Sequence, residues 1–163
     1  MNKKIIYFVS LLIAFVVISC DNNIPDEQFV KRVALTKNGL QKYGILFTDE
    51  GKITLNFPVS VNGTSKNSNN VEVTIAVDQD TLKAYNFDRY SNNTQLYYKL
   101  PTENMYSFPK GEKVTIPAGT DYSIITLDID LRNFDLYNNY ILPLKISNTS
   151  VYDIAEGKYS KLL

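Results

Sequence analysis

The sequence predicts an all-β domain: an immunoglobulin-like antiparallel β-sandwich of seven or eight strands with one short helix in a crossover. Two observations support this fold class. Apolar and polar residues alternate along most of the chain, and helical spacing of apolar residues occurs in one short stretch. Because successive side chains of a strand point to opposite faces, alternation gives each strand one apolar and one wet face. Two sheets that bury their apolar faces against each other form a sandwich.

The first nineteen residues predict a lipoprotein signal peptide. Lys3 and Lys4 precede an uncharged apolar run over 5–18 that is short for a spanning helix. The stretch VISC, which ends at Cys20, resembles a bacterial lipobox. That resemblance implies cleavage before Cys20 and acylation of this cysteine, so that several lipid chains anchor the protein in a membrane. An ordinary signal peptide with a chance cysteine, or a short membrane anchor, is the alternative.

The rest of the chain divides into a short tether and one domain. Residues 20–27 are polar and contain a proline, which is typical of a flexible tether, and 28–163 has the length of a single domain. Without Lys3 and Lys4, 15 basic residues face 17 acidic ones, a net charge of −2. This balance provides no basic surface for nucleic acid, so we expect no nucleic-acid partner.

The first part of the domain predicts a strand and a hairpin. The strand covers 29–35, where Lys31 and Arg32 indicate an edge. Two alternating stretches, 43–47 and 53–61, flank an Asp-Glu-Gly turn and predict the hairpin.

A proline, a polar loop and a strand follow. Pro58 lies inside the second arm of the hairpin and cannot donate a ladder hydrogen bond, so it indicates an edge or a bulge there. Residues 62–70 contain no apolar side chain and predict a mobile polar loop. Residues 71–78 alternate most cleanly and predict a strand with one fully apolar face.

One helix is expected directly after that strand. Leu82 and Tyr85 are three residues apart, and Asp78 or Asp80 can cap a helix, so we predict a short helix over about 81–86. A loop-rich crossover then covers 91–109.

A second hairpin, over 113–131, is expected to organise the fold. Two alternating stretches flank a Pro-Ala-Gly turn. The adjacent Ile124 and Ile125 break the alternation, which indicates a bulge or a residue covered on both sides.

The chain ends with two further strands. We expect one over 140–146, with Pro143 pointing outward, then a loop, a turn at Glu156-Gly157 and a last strand. The predicted core joins the inward residues of the strands: Val73, Ile75, Val77, Val114, Ile116, Leu127, Ile129, Leu142 and Leu144.

An ordered set of short motifs covers 71–144. It comprises VTIAVD before Leu82, Tyr85-Asn86, Tyr98, Leu100-Pro101, Tyr106, VTIPAG from Val114, and Leu142-Pro143-Leu144. This set resembles the N-terminal domain of unknown function of Bacteroidetes surface lipoproteins. In such proteins the domain precedes glycan-binding modules of polysaccharide-utilisation loci, or the catalytic domain of some family-18 endo-β-N-acetylglucosaminidases.

The resemblance implies a non-catalytic accessory or spacer domain in surface glycan capture. Its place would be the cell envelope, lipid-anchored in the outer membrane, with glycan or glycan-utilisation outer-membrane proteins as partners. Two other classes of protein stay open. One is a structural adhesin or pilus-like subunit, and the other is a remnant of a glycosidase that lacks its catalytic domain.

Residue types exclude several chemistries. The chain has no histidine, which excludes His-dependent triads and His-ligated metals. Asp128 and Asp130 resemble the acidic strand of family-18 glycosidases, but Arg132 stands where that chemistry needs another acid, so we predict no catalysis. Asp128 and Asp130, together with Asp121 and Asp135, could also contact calcium. No EF-hand spacing occurs, so we favour the interpretation that these residues form a solvent-exposed acidic face. We therefore predict neither a metal nor a cofactor.

Tyrosines of the crossover are the candidate binding residues. Tyrosine rings can stack on the apolar faces of sugar rings while their hydroxyls form hydrogen bonds. We assign Tyr85, Tyr98 and Tyr106 to packing. We predict that Tyr90 and Tyr97 contact glycan, with Asn92 and Asn93 as hydrogen-bonding neighbours.

Thr81 is a candidate modification site. Asp80-Thr81-Leu82 resembles the short sequon for O-glycosylation of exported Bacteroidetes proteins. Threonine at a helix start is equally an ordinary helix residue.

Overall fold

The structure, a computed structural model, describes residues 27–43, 51–157 and 160–162, the last three by their backbone only. The predicted signal peptide, Cys20 and all of the tether except its last residue lie outside the described residues. So does most of the first arm of the predicted hairpin at 43–47. The described strands are β1 (Arg32–Leu35), β2 (Gly39–Leu40), β3 (Lys52–Asn62), β4 (Val71–Val77), β5 (Tyr106–Ser107), β6 (Lys113–Ile116), β7 (Tyr122–Asp130), β8 (Pro143–Thr149), β9 (Asp153–Ile154) and β10 (Ser160–Leu162).

These strands form two five-stranded sheets, which confirms the predicted all-β sandwich. The odd-numbered strands form one sheet, in the order β5-β7-β3-β1-β9, and the even-numbered strands form the other, in the order β2-β10-β8-β4-β6. We call them the odd sheet and the even sheet. Every connection between successive described strands therefore crosses from one sheet to the other, so no described strand pairs with its sequence neighbour.

The core lies between the two sheets and contains the inward residues that alternation predicts. Six of the nine predicted core residues are buried in one cluster, and Val77, Val114 and Ile129 are partly buried against it. The most deeply buried large side chains come from both sheets: Phe57, Leu35, Ile75, Ile116, Leu127 and Leu144. Burial of these side chains is the main stabilising term of the fold.

The predicted hairpin over 113–131 is wrong. β6 pairs with β4 in the even sheet, while β7 pairs with β3 along its whole length in the odd sheet. The turn between them, with Gly119 at φ +82, carries the chain across the core. Alternation is the same for a hairpin and for two strands in facing sheets, so it identifies each strand but not its partner.

Two expectations about irregular strand positions are also wrong. The register of β7 against β3 is continuous, and Ile124 is 42% exposed on the outer face, so neither a bulge nor two-sided burial occurs. β1 lies between β3 and β9, so Lys31 and Arg32 do not mark an edge.

Two prolines occupy positions that the sequence does not predict. Pro58 lies in a central strand, where its carbonyl accepts from Thr36 N at 3.1 Å. The Pro58 nitrogen points toward the same neighbour, at a position just past the last residue of β1. The hydrogen bond that proline cannot donate would therefore lie beyond the paired part of β1 and β3. Pro143 is buried rather than outward, and its carbonyl accepts from Asp78 N at 2.9 Å.

The polar loop at 62–70 is tied down, contrary to the predicted mobility. Asn67 is 1% exposed. Its backbone nitrogen donates to Asp121 Oδ1 at 3.1 Å, and its Nδ2 donates to Pro117 O at 3.1 Å. Its Oδ1 accepts from Asn69 N at 3.1 Å and from the Tyr152 hydroxyl at 3.2 Å. All polar groups of this side chain are therefore satisfied, as burial requires.

The helix is longer than predicted. α1 covers Gln79–Tyr90, and 3-10 helices cover Thr94–Leu96 and Leu131–Asn133. Leu82 and Ile141 form a second small cluster, against which Leu40, Leu100 and two tyrosines pack. The last helical residue, Tyr90, packs its ring against Tyr98, and spacing within the helix cannot show such a contact with a residue beyond it. The turn at Glu156-Gly157 and the last strand are confirmed.

Adjacent isoleucines of β7 provide a direct test of the face assignment. Ile125 is 4% exposed and Ile124 is 42% exposed. Ile125→Ala should lower the free energy of unfolding by about 2–5 kcal/mol through lost transfer energy and a cavity, whereas Ile124→Ala should cost under about 1 kcal/mol. Urea denaturation of both variants measures the difference. Equal losses would contradict the assignment of faces.

Candidate functional site

The connections of the sandwich gather at two ends. β4 and β7 both begin beside the Asn67 loop and finish at the opposite end, where α1 and the second 3-10 helix follow them. We call that opposite end the helix end. Three segments distant in sequence meet there: 40–43, 97–101 and 134–141. A hydrogen bond from Lys99 N to Asn139 O, at 2.8 Å, and one from Ile141 N to Lys99 O, at 3.1 Å, join the last two.

Tyrosines of α1 and the crossover form a contiguous cluster at this end. The Tyr98 ring centroid lies 5.9 Å from those of Tyr85 and Tyr90. Tyr90 and Tyr97, the predicted glycan contacts, lie side by side with centroids 6.5 Å apart. Both are half-buried, and the Tyr97 hydroxyl donates to Ser91 O. The structure thus brings these two residues together, with part of each ring covered.

The two predicted amide neighbours lie close by on the surface. Asn92 and Asn93 are exposed in the turn after α1, and Asn93 N donates to Tyr90 O at 2.9 Å. This bond involves the backbone only, so the Asn93 side chain remains at the surface beside Tyr90. The geometry is compatible with the predicted role, which remains a prediction.

A buried asparagine that sequence reasoning missed fixes the position of Tyr98. Asn86 is 4% exposed. Its Nδ2 donates to Tyr98 O at 2.9 Å, and its Oδ1 accepts from Tyr98 N at 2.9 Å. One side chain therefore satisfies both backbone groups of Tyr98. The signal in the sequence is its spacing, four residues after Leu82 on the buried face of the helix.

Arg89 makes the rim of the tyrosine cluster positive. Its Nε lies 3.2 Å from the Tyr90 hydroxyl, and its guanidinium carbon lies 5.6 Å from the centre of that ring. The hydrogen bond with the Tyr98 hydroxyl, and then Arg89, lower the pKa of Tyr90. The same bond with Tyr90 raises the pKa of Tyr98.

A pocket of about 360 Å³ opens on the other side of Tyr98. Four of its lining side chains are aromatic: Tyr43, Tyr98, Phe134 and Tyr140. The Phe134 and Tyr140 rings meet edge to face, 4.9 Å apart at 75°. Gln41 and Lys42 add an amide and an ammonium group, and aliphatic side chains complete the wall. Except for Tyr98, which is assigned to packing, sequence reasoning missed these aromatic residues, because their three segments are far apart in the chain.

Thr81 lies in the first turn of α1. Its hydroxyl donates to Asp78 Oδ2 at 2.7 Å, and the residue is half-buried. A glycan on this oxygen would remove the donated proton from the bond. O-glycosylation of Thr81 remains a prediction.

The acidic residues considered for catalysis and calcium have local partners. Asp128 Oδ1 accepts from the Thr54 hydroxyl at 2.6 Å. Arg132 donates to both carboxylate oxygens of Asp130, at 2.8 and 2.6 Å, and lowers the pKa of Asp130 to about 2. Asp130 is therefore a carboxylate at neutral pH and cannot act there as a proton donor.

Two further properties concern only the part of the chain that the structure describes. No three cysteine, aspartate or glutamate side chains come together there in a way that could hold a metal ion. None of the helices found there is long and apolar enough to span a membrane.

The sequence profile of a domain of unknown function, DUF4973, matches residues 25–150. The chain belongs to this family. A Bacteroides ovatus protein of unknown function is 32% identical over 81% of the DUF4973 chain and 45% of its own length, with a TM-score of 0.68. An auxiliary nutrient binding protein of Bacteroides thetaiotaomicron is 31% identical over 74% of the DUF4973 chain and 38% of its own length, with a TM-score of 0.60.

A third solved structure shares the fold alone. EndoBT-3987 of Bacteroides thetaiotaomicron, solved with a Man5GlcNAc product, is 15% identical over 67% of the DUF4973 chain and 25% of its own length, with a TM-score of 0.52. The chain thus spans less than half the length of each of these three proteins. No curated protein matches it significantly in sequence.

Replacement of Asn86 should destabilise the protein. Asn86→Ala leaves Tyr98 N and O without their partners, so we expect a loss of about 1–3 kcal/mol in the free energy of unfolding. Asn92→Ala, at an exposed position six residues on, is the matched control and should cost under about 0.5 kcal/mol. Urea denaturation measures both. A loss no greater for Asn86→Ala than for the control would contradict this role.

Acid should weaken the start of α1 through Asp78. Burial alone would raise the pKa of Asp78, but hydrogen bonds from Thr81 and Lys145, whose Nζ lies 3.2 Å from Oδ1, outweigh it and lower that pKa. Because the pKa of Asp78 is lower in the folded state, its carboxylate stabilises the fold fully at pH values above the unfolded pKa. This stabilisation is lost as the pH falls through the folded pKa. Asp78→Asn should therefore cost about 1–3 kcal/mol at neutral pH and progressively less in acid. Urea midpoints of parent and variant across this range test it, and a gap that does not shrink in acid would contradict it.

Proposed function

We propose that this protein is a non-catalytic lipoprotein of the cell envelope that acts as an accessory or spacer domain in surface glycan capture. The observation that carries the proposal is the cluster of tyrosines at the helix end, next to an aromatic pocket. Aromatic rings held on a rigid sandwich present apolar faces and hydroxyls together, which suits sugar rings. Family relatives support the proposal, because one of them is an auxiliary nutrient binding protein.

The proposal gives the acidic residues of β7 no catalytic role. Asp128 and Asp130 are engaged by Thr54 and Arg132, and the pKa of Asp130 is lowered rather than raised. Glycoside hydrolysis needs one carboxyl group that keeps its proton near neutral pH. These residues instead stabilise the local surface, and the protein presents glycan to a partner that carries out the chemistry.

Glycan binding should depend on Tyr90 and Tyr97. We expect the full chain to bind an oligosaccharide with a Kd of roughly micromolar to millimolar, because one or two stacked rings supply few kcal/mol. Tyr90→Ala combined with Tyr97→Ala should weaken binding about tenfold or more. Tyr122→Ala, which removes an exposed tyrosine from the far end of β7, is the control and should not change the Kd. Affinity electrophoresis measures binding, and circular dichroism checks the fold. Unchanged binding by the double variant would remove these two residues from the site.

Membrane anchoring should depend on Cys20. Cys20→Ala removes the only thiol of the chain, so the protein should remain unprocessed or become soluble instead of acylated. Mass spectrometry of the membrane fraction detects the acylated N-terminal peptide in the parent. Its absence from the parent would contradict the anchor without affecting the glycan proposal.

A further inference from the structure

Two parts of the pocket wall at the helix end are held in place by contacts within the protein. Asn86 holds both backbone groups of Tyr98, and Phe134 packs edge to face on Tyr140. A backbone bridge between Lys99 and Tyr140 joins the two walls. A wall of rigid aromatic side chains loses little conformational entropy when it binds a ligand.

The size of the pocket suits a short ligand. Its volume of about 360 Å³ lies at the lower end of the range of about 300–1,000 Å³ that is typical of small-molecule sites. A long glycan cannot be enclosed in this space, but one or two sugar rings can. The Tyr43 side chain is 43% exposed, so a sugar bound against it can continue outward as a chain.

The charge of the side chains that line the pocket restricts the chemical class of ligand that it can bind. Lys42 is the one charged side chain among the described residues that line the pocket, and none of them is acidic. Burial of a cationic group beside aromatic rings and a lysine would be opposed by repulsion from that ammonium. Neutral and acidic sugars meet no such penalty, and the amide of Gln41 can exchange hydrogen bonds with their hydroxyls.

We infer that this pocket is a subsite for one or two pyranose rings of a neutral or acidic glycan, stacked between the aromatic walls that include Tyr43 and Tyr98. The inference rests on the proposed glycan capture and names a site for it that differs from Tyr90 and Tyr97. Tyr98 connects the two regions, because its ring lines the pocket and also packs against Tyr90. A glycan bound in the pocket can therefore extend out of it along the tyrosine cluster.

The test uses the full chain in lipid nanodiscs and saturation-transfer-difference NMR. The probes are neutral mannan oligosaccharides, acidic galacturonate oligosaccharides and cationic glucosamine oligosaccharides. Tyr43→Ala is the main variant, because its exposed ring can be removed with little effect on folding. Tyr122→Ala is the matched control, an exposed tyrosine outside the pocket. Phe134→Leu is a second pocket variant that keeps most of the apolar volume, and thermal unfolding confirms the fold of each.

The expected result is binding of a neutral or acidic probe by the parent, at least fivefold weaker binding by Tyr43→Ala and by Phe134→Leu, and parental binding by Tyr122→Ala.

If the parent binds and both pocket variants bind equally well, the subsite is wrong while the proposed glycan capture stands. If the parent binds none of the probes, the subsite is overturned and the proposed function is reduced to that of a spacer that does not itself contact glycan. Preference for the cationic probe would overturn the inferred ligand class. A change in oligomeric state on Tyr43→Ala, measured by analytical ultracentrifugation, with sugar binding unchanged, would show that the pocket joins copies of the chain instead.

Discussion

The buried side chain of Asn67 is the interaction on which one end of the sandwich depends. Three connections meet at this residue: the β3–β4 loop that contains it, the β6–β7 turn through Pro117 O and Asp121, and the β8–β9 connection through Tyr152. Each of the three crosses between the sheets. Asn67 is almost fully buried, and loss of its amide would remove the partner of Pro117 O, of Asn69 N and of the Tyr152 hydroxyl at once.

This constraint divides the molecule into an end that is fixed and an end that carries the candidate site. Because the described strands alternate between the two sheets, each connection between successive described strands crosses from one sheet to the other. The Asn67 end is closed by short connections that bond to one another. The helix end holds α1 and the longest connections, where three distant segments supply aromatic side chains. A rigid core that carries its binding residues on the connections at one end is a common basis for binding sites.

Period-two alternation predicted which faces are buried, and the structure confirms this for residues such as Ile75 and Leu144. It could not predict partners, because β6 and β7 would alternate identically in a hairpin and in facing sheets. Ile124 is ambiguous for a similar reason. An exposed isoleucine on an outer face next to a buried one gives the same pair of adjacent apolar residues in the sequence as a bulge does. Alternation is a local property, whereas strand pairing is decided by contacts between residues far apart in the chain.

The candidate site was predictable only in part. Tyr90 and Tyr97 are close in sequence, so their neighbourhood could be inferred and the structure places them in contact. Phe134, Tyr140 and Tyr43 meet Tyr98 only through the fold, and no spacing in the sequence relates them. Asn67 and Asn86 look like ordinary polar residues until the structure shows that they are buried and satisfy backbone groups.

The central claim, that one buried amide orders three sheet-crossing connections, is tested most directly by amide hydrogen exchange on Asn67→Ala. The account predicts a loss of about 1–3 kcal/mol in stability and faster exchange in all three connections, including Asn69 N and Gly119 N, while Tyr98 N at the helix end keeps its protection. Asn70→Ala removes a neighbouring exposed amide that accepts from Ala118 N, and serves as the control. The claim would be contradicted if amide exchange in Asn67→Ala became faster only next to residue 67 and the variant were as stable as Asn70→Ala.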